Sequence, residues 1–288
     1  MKWTPGGTSE DVEDRRDQDS GGGGGNFGGF GMPHIGIGGI IILLILSFVF
    51  KRNFFTLLGS GGSGAPSTTV NRPDPARDAA QQPTVQFVSF VLDDAQKTWT
   101  QILSEQGLPY RHAKLVLFRN ATSSGCGAAR SATGPFYCPA DEKIYIDLDF
   151  YDELKSRFGA PGQFAQAYVL AHELGHHIQK LTGIEGKVRR LQEQNPGSGN
   201  ALSVKMELQA DCLAGIWAHT TDQRGLLEAG DVDSAIGAAA AVGDDRLQKQ
   251  ATGRISPESF THGSSAQRTQ WFKRGMDSGT IQACNTFQ

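Results

Sequence analysis

Two histidines four residues apart, with a glutamate directly after the first, are the residues whose types and spacing could do chemistry: His172-Glu173-x-x-His176. In a helix, residues four apart lie one turn above each other, so His172 and His176 can grip one metal ion from a single face. Glu173 lies about 100° further round and reaches a water at that ion without being a ligand. The chain holds only seven histidines, so a chance match at three fixed positions would be rare. The chemistry implied is zinc-assisted hydrolysis with Glu173 as general base. His177 points about 100° away from His176 and reads as a structural neighbour of the site.

A hydrolytic zinc site needs a third protein ligand and an open fourth position for water. The extended pattern that adds a third histidine requires Gly at 179 and His at 182. The chain has Gln179 and Thr182, which excludes it. The alternative is a carboxylate on a second helix. Leu202 to His219 offers Glu207 and Asp211, four apart on one face. This Glu-x-x-x-Asp arrangement resembles that of the zincins with a glutamate third ligand, the thermolysin type. The resemblance implies Glu207 as zinc ligand and Asp211 as the carboxylate that orients a ligating histidine through its other nitrogen. Nearer the C-terminus, Ser264-x-x-Gln267 forms a capping box, so a helix begins there with His262 just before it. A histidine so placed could stabilise the oxyanion of a tetrahedral intermediate, and Arg268 is a second candidate for that role.

The elements that must position these groups can be read from apolar spacing. Val85 to Gln106 is an amphipathic helix stopped by Gly107. Lys114 to Phe118 is a short strand. Pro135 to Leu148 is a hairpin whose second strand, Lys143 to Leu148, alternates Ile144, Ile146 and Leu148 with Tyr145 and Asp147; one face should pack on helices and the other stay polar. Tyr151 to Phe158 is helical. The metal helix carries the buried stripe Phe164, Ala167, Ala171, Leu174, Ile178 and Leu181, with Gly175 leaving room for a close neighbour and Gly183 as its stop. Cys212 faces the core side of its helix, as a disulfide or a buried thiol. A last Ala-rich helix should run from Asp231 to about Gln250.

The formal charge is −3 and no basic run extends beyond a few residues, so nucleic-acid binding has no electrostatic footprint. Four cysteines form no C-x-x-C pair, and they allow two disulfides with three connectivities. Residues 1–30 are polar and Gly-rich and are expected to be disordered. Residues 31–58 contain an uncharged apolar run, Gly31 to Phe50, 20 residues long. As a helix it would measure about 30 Å, the thickness of a bilayer core, so a single-pass anchor is expected. Residues 59–83 read as a Gly, Ser and Pro linker, and residues 84–288 as the folded domain. Lys51-Arg52 would by proximity lie on the cytoplasmic face. Cysteine pairing argues instead for a domain in an oxidising compartment, outside the cytoplasmic membrane.

Val12 to Arg16 (VEDRR), Gly134 to Asp141 (GPFYCPAD), the His-Glu-x-x-His-His block, Met206 to Cys212 (MELQADC), Gly243 to Gln248 (GDDRLQ) and Thr261 to Ser265 (THGSS) together resemble the bacterial "putative neutral zinc metallopeptidase" family. The resemblance spans nearly the whole chain. It implies an extracytoplasmic, membrane-anchored peptidase with Zn2+ at His172, His176 and Glu207 and a peptide or protein substrate. The expected fold is a zincin-like α+β domain: a helix, a small sheet ending in an edge strand, the metal helix, the Glu-bearing helix and a helical C-terminal part. A substrate peptide would lie extended along Lys143 to Leu148. The competing class is a membrane-anchored scaffold that keeps zinc for stability without turnover, which would have no use for Glu173.

Overall fold

The computed structural model describes residues 1–18, 74–156 and 162–287, which form an α+β body. The expected span over 31–58 lies outside the described residues, as does most of the linker. Among the described residues no helix is long and apolar enough to cross a membrane.

Four strands make the main sheet, in the order β1 (Val12–Asp14), β2 (Lys114–Phe118), β6 (Lys143–Asp147) and β5 (Phe136–Cys138). The first three are parallel, and β5 runs antiparallel to β6 as the expected hairpin. Strands β3 (Ala121–Ser124) and β4 (Gly127–Arg130) form a separate antiparallel pair. Two expectations are corrected here. Strand β6 is interior, with β2 on one side and β5 on the other, so no peptide can pair along Lys143 to Leu148. Nor does its second face stay polar. Tyr145 is buried with Val116, Phe118, Ala129 and Cys138, while Ile144 and Ile146 join the larger core on the opposite face. Parallel strands covered on both sides lose the polar alternation that a half-solvated hairpin would show.

The front of the chain is also reassigned. Residues 1–18, expected within a disordered lead, belong to the body: β1 pairs Val12, Glu13 and Asp14 with Leu115, Val116 and Leu117. Ion pairs hold the acidic and basic residues that made this stretch look solvated. Glu13 meets Lys143 at 2.6 Å, and Asp14 accepts the Arg16 guanidinium at 2.7 Å. The first long helix, α1 (Pro75–Glu105), begins ten residues before Val85. Asp74 caps it by accepting the Arg77 N–H, and Pro75 fits the first turn, where no N–H is needed. What read as linker punctuation is a helix start.

After α2 (Asp149–Ser156) come the two helices that matter most, α3 (Gln163–Leu181) and α5 (Gly199–Gln223), with α4 (Ile184–Gln194) between them. Of the predicted α3 stripe, Phe164, Ala167, Ala171, Leu174 and Ile178 are buried, and Leu181 at its end is partly buried. Gly175 is where α5 comes closest. A Cβ on it would stand 2.9 Å from the Ala210 carbonyl oxygen and 3.0 Å from the Ala210 Cα, so the backbones meet with no room for a side chain. A second close crossing joins α5 to α8 (Ser265–Ser278), where Gly215 faces the Phe272 carbonyl and Gly275 faces that of Cys212. The expected helix from Asp231 to Gln250 is two, α6 (Asp231–Ala241) and α7 (Asp244–Thr252). The break falls at Gly243, whose missing Cβ would collide with the Ser265 backbone, 2.4 Å from its nitrogen.

All four cysteines pair, Cys126 with Cys138 and Cys212 with Cys284. The second closes a loop of 72 residues, and in the chain-entropy picture such a loop is worth about 4 kcal/mol. It locks the C-terminus onto the helix that carries Glu207.

Candidate metal centre

The tight crossing of α3 and α5 brings His172, His176 and Glu207 together. One donor atom from each lies within 4.8 Å of the others. His172 Nε2 stands 3.1 Å from one Glu207 carboxylate oxygen, and His176 Nε2 stands 3.5 Å from the other. Ligands about 2.0–2.1 Å from a tetrahedral zinc ion would be about 3.3 Å apart, so these separations straddle the ideal. Two imidazoles and one carboxylate are the donor set of a hydrolytic zinc site. The residues fit the ion.

Each imidazole is held by its other nitrogen. His172 Nδ1 donates to Asp211 Oδ1 at 2.8 Å, which fixes the tautomer that leaves Nε2 free to bind. His176 Nδ1 donates to Gln179 Oε1 at 2.9 Å, and Gln179 is itself anchored by donating to the Met206 carbonyl at 2.7 Å. Sequence reasoning used Gln179 only to exclude a longer histidine motif. Its position three residues after His176, within reach on the same helix, was the available signal.

Asp211 is fully buried and accepts from other donors besides the His172 ring nitrogen. Tyr168 donates to Oδ1 at 2.5 Å, while Arg268 donates from Nε to Oδ2 at 2.8 Å and from a terminal nitrogen to Oδ1 at 2.9 Å. Arg268 therefore clamps Asp211, and its terminal nitrogen also lies 3.5 Å from His172 Nε2 and 4.0 Å from a Glu207 carboxylate oxygen. Tyr168, one turn before His172, was missed altogether. Burial disfavours the charged form of Asp211, but Arg268 and His172 outweigh it and its carboxyl is held below the usual range. Burial would lower His172, yet the Asp211 and Glu207 carboxylates leave it raised to about 10. For Glu207, burial raises and the two histidines lower, with the histidines dominant, so the carboxylate stays ionised.

Glu173 is 7% exposed, and its carboxylate has no hydrogen-bond partner among the described residues. A buried carboxylate left open beside three metal donors suits a base awaiting water. His177 turns away, as its spacing requires: Nε2 donates to the Arg111 carbonyl at 2.6 Å, and Nδ1 accepts from the Tyr137 hydroxyl at 2.9 Å. Burial pushes it down, so it stays neutral and ties α3 to strand β5.

His262 lies on a loop that Asp244 gathers. One Asp244 oxygen accepts the N–H groups of Thr261, His262 and Gly263, and the other meets His262 Nδ1 at 3.1 Å. A Cβ on Gly263 would stand 3.2 Å from Leu208 and 3.3 Å from Val204, which places the loop on α5 beside Glu207. The His262 ring is about half exposed. Partial burial lowers its pKa, but Asp244 and Glu207 leave it raised. Asp244 explains the break between α6 and α7: the second helix has to start there to aim this carboxylate at the loop.

Comparisons with known proteins agree in one direction. Over 289 aligned residues the chain is 48% identical to "Uncharacterized protein YpfJ" of Escherichia coli K12, covering 100% of this chain and 99% of that protein. It is 46% identical over 189 residues to "Uncharacterized protein Mb2605" of Mycobacterium bovis, covering 62% of this chain and 63% of the other. No solved structure matches it. Residues 1–287 match the family described as "putative neutral zinc metallopeptidase". Its reach from the first residue through Cys284 includes β1, both metal-bearing helices and the His262 loop, and the chain belongs to that family.

Proposed function

We propose that the protein is a zinc-dependent endopeptidase in which His172, His176 and Glu207 hold the ion and Glu173 is the general base. The observation that carries this reading is the convergence of those three donors within 4.8 Å of one another beside Glu173, which is buried and has no hydrogen-bond partner among the described residues. Zinc held there would acidify a water and polarise a carbonyl oxygen. Glu173 takes the proton from the attacking water and returns it to the leaving amine. His262, whose pKa burial lowers but Asp244 and Glu207 leave raised, would in its protonated form donate from Nε2 to the carbonyl oxygen as negative charge builds on it. Asp211 and Gln179 keep both ligating rings in the tautomer that presents Nε2.

A peptide would lie extended along β5, whose outer side pairs with no strand among the described residues. This strand is joined to the metal helix through the Tyr137 hydroxyl and His177, which supports that edge as the place for a substrate backbone. An antiparallel edge strand beside a metal helix also supports a zincin-like reading of the fold. Attachment to a membrane through the apolar run at Gly31 to Phe50, with the body where cysteines are oxidised, belongs to the same proposal.

The test compares the natural chain with Glu173→Gln for cleavage of an unfolded protein at matched zinc content. Loss of about 10²–10⁴-fold is expected for removal of a general base. Equal rates, or no cleavage by either chain across a broad panel of unfolded substrates, would defeat the peptidase reading.

A further inference from the structure

The support of His176 does not end at Gln179. The Gln179 nitrogen that donates to the Met206 carbonyl also donates to Gln209 Oε1 at 3.1 Å. Gln209 Nε2 in turn donates to the Cys284 carbonyl at 3.0 Å. Two buried amides thus connect one imidazole of the metal centre to a main-chain oxygen 75 residues beyond Gln209. Gln209 shares a face of α5 with Cys212, three residues on. Both hold Cys284, the first through its carbonyl and the second through the disulfide. One turn earlier on the same stripe, the Lys205 carbonyl accepts the Thr286 hydroxyl at 2.7 Å. Cys284 and Thr286 are both buried where they meet this helix.

The direction of every bond in this relay is fixed from its far end. A carbonyl oxygen only accepts, so Gln209 must turn its NH2 to Cys284 and its oxygen to Gln179. Gln179 must then turn its own NH2 toward Gln209 and the Met206 carbonyl, and its oxygen toward His176. Turning the Gln179 amide over would set its oxygen against two acceptors in a buried place, where each lost hydrogen bond is expensive. His176 is left with one part, donating from Nδ1 and keeping Nε2 for a metal. We propose that Gln209 is a positioning residue of the metal centre, carrying the fixed direction of the Cys284 carbonyl through Gln179 to His176, so that the C-terminal segment held by the Cys212–Cys284 bridge takes part in zinc retention. This rests on the reading that His172, His176 and Glu207 hold zinc. It gives the bridge and the chain end a role in the metal site that they do not touch.

Zinc affinity of the full chain, measured by competition with a chelator, tests the relay. Gln209→Met keeps the length of the side chain and removes both amide bonds. It should weaken zinc about tenfold, the low end of what an outer partner of a ligand contributes. Thr221→Val removes a buried hydroxyl from the same helix outside the relay and should leave the affinity unchanged. Equal weakening by both would reduce Gln209 to a part of the general packing and overturn the proposal. Gln179→Met should weaken zinc at least as much as Gln209→Met, and the double variant no more than Gln179→Met alone, because Gln209 acts through Gln179. Unchanged affinity in Gln209→Met, or additive losses in the double variant, also overturns it. Should Gln209→Met not fold, Gln209→Asn takes its place with the same outcomes, since its amide is one methylene too short to span from Cys284 to Gln179. Releasing the anchor with Cys212→Ala and Cys284→Ala should weaken zinc in the same direction, and unchanged affinity in that folded chain overturns the part given to the C-terminal segment. A second readout needs no turnover. In the zinc-loaded natural chain the His176 Nδ1–H should exchange slowly in the imidazole 1H–15N spectrum, and faster in Gln209→Met; equal exchange in the two chains counts against the relay. A natural chain that takes up no zinc defeats the zinc reading and this inference with it, whereas zinc uptake with no response to Gln209 leaves that reading standing and removes only the relay.

Discussion

Arg268→Met should destabilise the protein far more than the loss of an ordinary surface cation, because Arg268 is 3% exposed and pairs with a fully buried carboxylate. Breaking a buried pair by removing one partner costs about 3–5 kcal/mol, chiefly because the remaining charge is left without compensation. Asp211 would retain its bonds from Tyr168 and His172, which argues for the lower end of that range. In a body of this size each kcal/mol moves Tm by about 2–4 °C, so about 3 kcal/mol corresponds to a fall of about 6–12 °C. Thermal unfolding of the metal-free protein, followed by circular dichroism, reads this directly. Arg268→Lys should recover only part of the loss, since a single ammonium cannot serve both carboxylate oxygens as the guanidinium fork does. Arg268→Met combined with Asp211→Leu should cost less than the sum of the single changes, because the double variant strands no charge. A shift below about 2 °C for Arg268→Met, or strict additivity in the double variant, would refute the clamp.

Three further outcomes are expected. Glu207→Ala should purify with less than one zinc per chain under conditions where the natural chain is filled, and unchanged stoichiometry by metal analysis would mean that another residue is the third ligand. In the metal-free protein the folded pKa of His172 is raised to about 10, above its ordinary value near 6.5. Its protonation therefore stabilises the fold fully below about pH 6.5, and that contribution disappears as pH rises through about 10. The metal-free protein should lose Tm across this window while zinc binding, which displaces the same proton, becomes tighter; a flat Tm from pH 6.5 to 10 contradicts the assignment. Asp244→Asn should bring the alkaline limb of the cleavage profile to lower pH, since Asp244 raises His262 and activity that needs the protonated ring fades as pH passes its pKa. An unmoved limb would assign His262 a purely structural part.

The metal helix was legible because its information is local. The four-residue step of His172 and His176, the apolar stripe and the Gly183 stop are all set by helix periodicity, and α3 runs from Gln163 to Leu181 much as that periodicity demands. Glu207 and Asp211 became visible by the same rule on a second helix, together with a resemblance. What escaped was set by contacts between elements far apart in sequence. Arg268 could be placed on a helix but not against Asp211, because that depends on the Gly215 and Gly275 crossing. Strand β6 became interior only because β2 arrives beside it. The lead residues looked disordered because a run such as Glu13-Asp14-Arg15-Arg16 is polar everywhere, and only the folded body supplies Lys143 on β6 and Asp78 and Gln81 on α1 as partners.

The two helix crossings suggest why the centre needs so few ligands. At Gly175 the backbones of α3 and α5 touch, and at Gly215 and Gly275 those of α5 and α8 do. Contacts of that kind cannot slide without opening a gap or forcing a collision, so the relative heights of His172, His176 and Glu207 are set by main chain rather than by side-chain choice. A rotation of α5 by one residue would move Glu207 about 100° away from the histidines and swing Asp211 off His172. The Cys212–Cys284 bridge opposes that rotation from the far side of the same helix. The donor positions are therefore held before any ion arrives, and zinc need not organise the fold to bind. On the proposed reading, such a centre would leave Glu173 and a fourth position for water, which a hydrolytic site requires and a purely structural one does not.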